Sequence, residues 1–169
     1  GRMHRREHSW GILSLEDVVS ENCEWLSLEI NARGVDVQTR NLMDVQAVED
    51  ILPLVFLNLM SNAIKYNRSD SPKILIFCEP LDDDRIKVFV EDNGAGIPVA
   101  SQKVIFDAFA QLDRQGLKEG LGVGLNTVRS AIELHDSKIV VGSSPELGGA
   151  SFSFSLKKAG APAGAGAFI

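Results

Sequence analysis

Between Ser14 and Gly34 the residues Val18, Val19, Asn22, Trp25, Leu26 and Ile30 follow one another at roughly helical spacing. Ser14 stands where a hydroxyl caps a first turn, Asp17 follows three residues on, and Gly34 supplies the stop. VDVQT then alternates like a strand. From about Val45 to Tyr66 the chain predicts a long helix, with Pro53 either tolerated inside it or marking its true start. ILIFCE and RIKVFVED, apolar and β-branched and separated by LDDD, predict an antiparallel hairpin. After a glycine-rich loop, SQKVIFDAF predicts a short helix, and a second glycine-rich loop leads into a helix over VGLNTVRSAIELH. KIVVGS and ASFSFSL close as two more strands. Strands paired beside one layer of helices make an α+β, two-layer α/β sandwich, and the alternation is too irregular for a Rossmann sheet.

The ends lack this patterning. Residues 1–9 are basic and aperiodic, a linker or cloning remnant, and residues 159–169 are an Ala/Gly/Pro tail expected to be flexible. The compact domain is expected over residues 10–158.

Within the long helix, Leu52, Phe56, Leu59, Met60, Ala63 and Ile64 cover a broad apolar arc that Leu57 extends. Asn58, Asn62 and Lys65, spaced i, i+4 and i+7, stack on one face. A helix apolar nearly all round is buried, and an unpaired polar group there costs about 1–3 kcal/mol. Two carboxamide oxygens beside an ammonium suit a magnesium ion bridging phosphates. The residues alone leave equally open that the asparagines cap loops or bond each other.

EDNGAGIP directly follows a strand. Gly94 and Gly96 permit close backbone approach to a ligand, and Asp92 at the strand end can accept a bond from an adenine amino group. Such a charge-assisted bond contributes about 1.5–3 kcal/mol; a plain Asp-Asn-Gly turn is the competing reading. In EGLGVGLNTVRS, Gly120, Gly122 and Gly124 alternate before a helix, whose free N–H groups bind phosphate. This loop follows no strand and lacks the Gly-Lys-Ser/Thr ending of a P-loop, which disfavours both the Rossmann and P-loop classes. Between them, FDAFAQLDRQGLKEG carries Phe106, Phe109, Leu112, Arg114 and Lys118: either a lid whose basic residues touch phosphate when closed, or a solvated loop.

A length of 169 residues suits one domain. The net charge of −6 argues against a general nucleic-acid binder. Cys23 and Cys78 form no CxxC pair, so no metal cage or disulfide framework is expected, and a reduced, cytosolic setting fits. No apolar run reaches membrane-spanning length, so a membrane-anchored parent would carry its anchor elsewhere.

NLMSNAIKY, DNGAGI, FDAF and GLGVGL resemble, in sequence and in order, the N, first glycine, F and second glycine boxes of sensor histidine kinases. The resemblance spans roughly Leu15 to Leu156, and FAQLDRQGLKEGLGVGL is similar to the lid of phytochrome-like and related hybrid kinases. It implies the Bergerat ATP-binding fold of the GHKL superfamily, a mixed, mostly antiparallel sheet with helices on one face. It implies ATP and Mg2+ as cofactors, with Asn62 the principal metal ligand and Asn58 and Lys65 beside it in the catalytic set. Tyr66 would line the phosphate and ribose side. Asp92 would read the adenine amino group, in a pocket shaped by Gly94, Gly96 and Ile97. Gly120, Leu121, Gly122, Val123, Gly124 and Leu125 would wrap the phosphates, and Ser151 would stand for a threonine that holds adenine through water. ATPase members usually carry an acidic residue at the Asn58 position; an amide is no base, which favours a kinase.

The chain departs from the pattern at Leu121, often Thr, at Asn126, often Ala, and at Asp136, usually Gly. No phosphoacceptor box resembling HExRTP is present. The expected partners are the dimerisation and phosphoacceptor domain of the same parent kinase and a downstream response regulator, the isolated domain being monomeric. A degenerate nucleotide-binding or docking module, or a GHKL ATPase, remain as alternatives.

Overall fold

The structure, a computed structural model, describes residues 8–107 and 121–162, the side chains of 121–123 apart. Its elements are β1 (Trp10–Ser14), α1 (Leu15–Trp25), α2 (Ser27–Arg33), β2 (Asp36–Arg40), β3 (Asp44–Val48), α3 (Leu52–Lys65), β4 (Lys73–Pro80), β5 (Arg85–Asp92), α4 (Val99–Gln102), α5 (Leu121–Leu134), β6 (Val140–Ser143) and β7 (Ala150–Lys158). The strands form one sheet of order β1-β3-β7-β5-β4-β2, with β6 also paired to β7. Among the described residues only β2 and β4 run parallel. The fold is therefore the mixed, mostly antiparallel α+β sandwich that the pattern and the resemblance imply.

Period-two alternation sorts the side chains. Ile74, Ile76, Ile86, Val88, Val90, Phe152, Phe154 and Leu156 share one face and are buried against apolar positions of α1, α3 and α5. Each large aliphatic side chain so buried contributes roughly 1.5–3 kcal/mol. On the other face Phe77 and Phe89 stack with centroids 4.6 Å apart, and Arg40 and Lys87 lie over the two rings. Such cation–π contacts contribute about 0.5–1 kcal/mol each at exposed sites.

Several element boundaries differ from the pattern's prediction. Residues expected to begin the long helix form β3 instead. Val45, Ala47 and Val48 are fully buried and Gln46 nearly so, so the segment shows neither a helical nor a strand period. Helix α3 starts at Leu52, with Pro53 in its first turn, where a missing N–H costs nothing. β1, which pairs with β3 from Trp10↔Val48 to Ser14↔Asp44, is an added strand. The helix from Ser14 is capped as expected, Ser14 Oγ accepting from the Asp17 N–H at 3.2 Å, and Gly34 ends it at φ 61°. It is interrupted at Leu26, however, and Trp25 is 79% exposed rather than facing the core. The helix expected over SQKVIFDAF shrinks to α4; Ile105 and Phe106 are buried from turns, and Phe109 lies outside the described residues. α5 begins at Leu121, so Gly122 and Gly124 belong to its first turn rather than to a preceding loop.

His135 ties the end of α5 to β3. Its Nδ1–H donates to the Ala131 carbonyl at 2.7 Å and its Nε2 accepts from the Val48 N–H at 3.0 Å, a pair that requires the neutral ring. Burial, with a smaller contribution from Arg85, lowers its pKa below the ordinary 6.5. The unfolded chain therefore takes up a proton near that pH while the folded chain does not. Stability is full above about pH 6.5 and declines as the pH falls through it, by up to about 1.4 kcal/mol per pH unit. His135→Gln should flatten that decline in urea unfolding; an unchanged pH slope would refute the role.

Asp136 follows at φ 57°, the left-handed region that side chains other than glycine adopt at a cost of about 1 kcal/mol. Asp136→Gly is expected to raise the unfolding free energy by about 0.5–1 kcal/mol. No gain in denaturant midpoint would show that the residue is unstrained.

Candidate functional site

Asp92, the last residue of β5, lies at the floor of a cavity of about 200 Å³. One wall is the end of α3, with Asn62, Ala63 and Tyr66. The loop after β5 supplies Gly94, Ala95, Gly96 and Ile97, while Leu125 of α5 and Ile105 close the far side. Ala150 and Phe152 complete it from β7. An apolar lining with a few converging polar groups is the usual make-up of a small-molecule site.

The Asp92 carboxylate is held by main chain. Its Oδ1 accepts from the Gly94 N–H at 2.8 Å and the Ala150 N–H at 3.3 Å, and its own carbonyl accepts from the Gly149 N–H at 3.1 Å. No described residue donates to Oδ2. Burial pushes the carboxyl pKa above the ordinary 3.8; the two N–H bonds oppose this and the neighbouring Glu91 adds to it. A side chain at 149 would collide with the carbonyl and Oδ1 of Asp92 and with the Gly94 nitrogen, so the loop reaches Asp92 only because it carries glycine there. Gly96 turns the opposite rim at φ 76°.

Asn62 presents the other polar group. Its buried Nδ2 has no partner. A carboxamide's oxygen and nitrogen exchange places by a half-turn, so either is available to the cavity. An orphan of this kind leaves hydrogen-bonding capacity to spare at the cavity wall.

Beneath the walls, polar bonds hold the loops. Arg33 donates to the Ile64 carbonyl at 2.6 Å and also to that of Asn67, fixing the end of α3. Asn67 donates to Asn93 Oδ1 at 2.8 Å, and Asn93 also receives the Lys73 N–H at 2.7 Å.

The expected site residues divide accordingly. Asn62, Tyr66, Asp92, Gly94, Gly96, Ile97 and Leu125 meet at the cavity. Asn58 does not line it. Its Nδ2 donates to the Leu54 carbonyl at 2.9 Å, and it borders a separate apolar groove between α3 and α5. Its Oδ1 closely faces Gly124, where a Cβ would sit only 3.2 Å away. Lys65 is exposed and lines neither hollow. Gly120 lies outside the described residues, as do Arg114 and Lys118 and the side chains of Leu121 and Val123, while Gly122 lies in the first turn of α5. Ser151 is not brought to the cavity: its hydroxyl donates to Glu91 Oε2 at 2.6 Å on the reverse face of the sheet. Ala150 and Phe152 hold that wall instead, as the alternation of ASFSFSL signals, since Ala150 shares its parity with the core residues Phe152 and Phe154. Ala63, Ala95 and Ile105 carry no motif signal beyond being small or apolar.

Residues 47–160 match the histidine kinase-, DNA gyrase B-, and HSP90-like ATPases, and the chain belongs to that family. Within it, the chain is 31% identical over 147 residues to the adaptive-response sensory kinase SasA of Synechocystis sp., which covers 85% of this chain and 38% of that protein. Among solved structures, full-length ShkA in complex with AMPPNP matches with a TM-score of 0.75 and 25% identity, over 92% of this chain and 33% of that one. The catalytic domain of histidine kinase ThkA matches with a TM-score of 0.74 and 25% identity, over 89% of this chain and 98% of that one. The chain is thus an ATP-binding catalytic domain of the sensor histidine kinase type, and it spans little more than a third of that curated relative. Among the described residues no helix is long and apolar enough to cross a membrane.

Gly149→Ala tests the close approach at Asp92. It should cost about 1–3 kcal/mol in chemical unfolding, since the obstructing atoms are mostly backbone. Gly142→Ala, with nothing within 4 Å, should stay within about 0.5 kcal/mol of the parent chain. Equal effects of the two would refute the constraint.

Proposed function

We propose that this chain binds Mg·ATP and donates the γ-phosphate to a histidine on a separate helical dimerisation domain of the same parent kinase, with a response regulator downstream. Residues 10–158 form the catalytic unit, placed in the cytosol. The observation that carries the reading is the Asp92 carboxylate: one oxygen is satisfied by two main-chain N–H groups and the other is left for a ligand in the cavity. That arrangement suits an exocyclic amino donor such as the one on adenine.

The metal fits the residues present. Asn62 offers a carboxamide with an unsatisfied buried atom at the cavity wall, and a carboxamide oxygen is a ligand for hard cations. Bound there, magnesium would neutralise phosphate charge. Asn58 beside Gly124 and the first turn of α5 are proposed to face the phosphates, Gly120, Gly122 and Gly124 offering main-chain N–H groups. Lys65, exposed at the end of α3, is proposed to neutralise phosphate from outside the cavity.

Asn58 supports transfer to a protein over hydrolysis, because an amide cannot take a proton from water. The isolated chain should release almost no phosphate, and adding a purified phosphoacceptor domain with labelled ATP should yield acid-labile protein label. Steady phosphate release abolished by Asn58→Ala would overturn the kinase reading in favour of an ATPase.

Binding follows from the same groups. Asp92→Asn should weaken ATP binding by at least about tenfold in calorimetry, the loss expected for one charge-assisted bond. Asn62→Ala should weaken binding in magnesium more than in chelator. Unchanged ATP affinity in Asp92→Asn would show the adenine subsite to be misassigned.

A further inference from the structure

We infer that Glu91 is a positioning residue for adenine recognition, holding from the reverse face of β5 the loop that orients the Asp92 carboxylate. The inference rests on the reading of Asp92 given above.

Glu91 is 3% exposed, on the sheet face turned away from the helices. Its Oε1 accepts from Ser144 Oγ at 2.8 Å and its Oε2 from Ser151 Oγ at 2.6 Å. Among the described residues no lysine, arginine or histidine forms an ion pair with it. A buried carboxylate with two hydroxyl donors and no cation is a costly way to fill space. Its cross-strand neighbour Leu75, equally buried, shows that this row of the sheet accepts an aliphatic side chain.

The two serines flank the loop between β6 and β7. Ser144 organises it from within: its Oγ accepts from the Leu147 N–H at 2.9 Å and its N–H donates to the Gly149 carbonyl at 2.8 Å. Ser151 stands just beyond. One carboxylate therefore pins both ends of the loop on the far face of the sheet. On the near face the same loop presents the Gly149 and Ala150 N–H groups to Asp92. Consecutive residues of β5 thus grip one loop from opposite sides.

The registered pairing of β5 with β7 ends at Glu91↔Ser151; β4 still pairs with Asp92 at Ile74 on the other side, so from the β7 side Asp92 is held by the loop alone. The Ala150 bond, at 3.3 Å, has little length to spare. A loop released from Glu91 loses it first; Oδ1 then keeps only the Gly94 N–H at 2.8 Å, and the carboxylate turns more readily out of its set orientation.

The test compares ATP with purine riboside triphosphate, which lacks the 6-amino group, by calorimetry on the full chain in magnesium. The parent chain should prefer ATP by at least about tenfold. Glu91→Leu should bring the ratio of the two affinities close to one. Ser151→Ala alone, which leaves Glu91 its bond from Ser144 and serves if Glu91→Leu fails to fold, should lower it as well. Glu91→Gln, which can accept from one serine and donate to the other, should restore most of it. A purely structural role would weaken both ligands equally and leave the ratio unchanged, and that result overturns the inference alone. A parent chain without preference for ATP overturns the Asp92 assignment and the inference together.

Discussion

The site depends on where the β5–β7 ladder stops. Up to Glu91↔Ser151 the two strands pair in register along the sheet. One residue further, a continuing ladder would spend the Ala150 N–H on the main chain of β5 and leave the Asp92 carboxylate to the Gly94 N–H alone. Instead the Ala150 N–H turns to the carboxylate, the Gly149 N–H takes the Asp92 carbonyl, and the chain departs into the glycine turn. A buried carboxylate needs such donors, because without them its ionised form is too poorly solvated to persist.

The facing wall is set independently. α3 is anchored near its start by Asn22, whose amide donates to the Pro53 carbonyl at 3.1 Å, and at its end by Arg33. Between these anchors Phe56, Leu59 and Met60 pack without exposure against the sheet. The spacing between Asn62 and Asp92 is therefore a property of the core, and a core at crystal-like density transmits volume changes to it. Gly124 works to the same end, letting α5 approach Asn58 more closely than an alanine would allow.

Much of this was legible in the sequence because it is local. Ser14, Gly34, Pro53 and the hairpin around LDDD declare themselves through backbone chemistry within a few residues. The ordered motifs located Asp92, Asn62 and the glycines around them. Other features depend on partners far away in the chain. β3 is hidden because central burial removes the alternation that identifies a strand. Asn58 and Asn62 share a helical face by spacing, yet only Asn62 reaches the cavity, because α5 comes down against Asn58. Ser151 faces Glu91 on the reverse side of the sheet, as the parity of ASFSFSL signals.

The loop between β6 and β7 meets Asp92 through amide groups alone. Pro145 and Glu146 are exposed, and Glu146 turns outward to Arg40 on the edge strand β2. Within that loop, selection on the ligand contact bears on Gly149 and on the path of the main chain, and it is blind to the side chains at 145–147. Descendants of this sequence are free to diversify the surface chemistry of that corner while the main-chain bonds that hold Asp92 stay as they are.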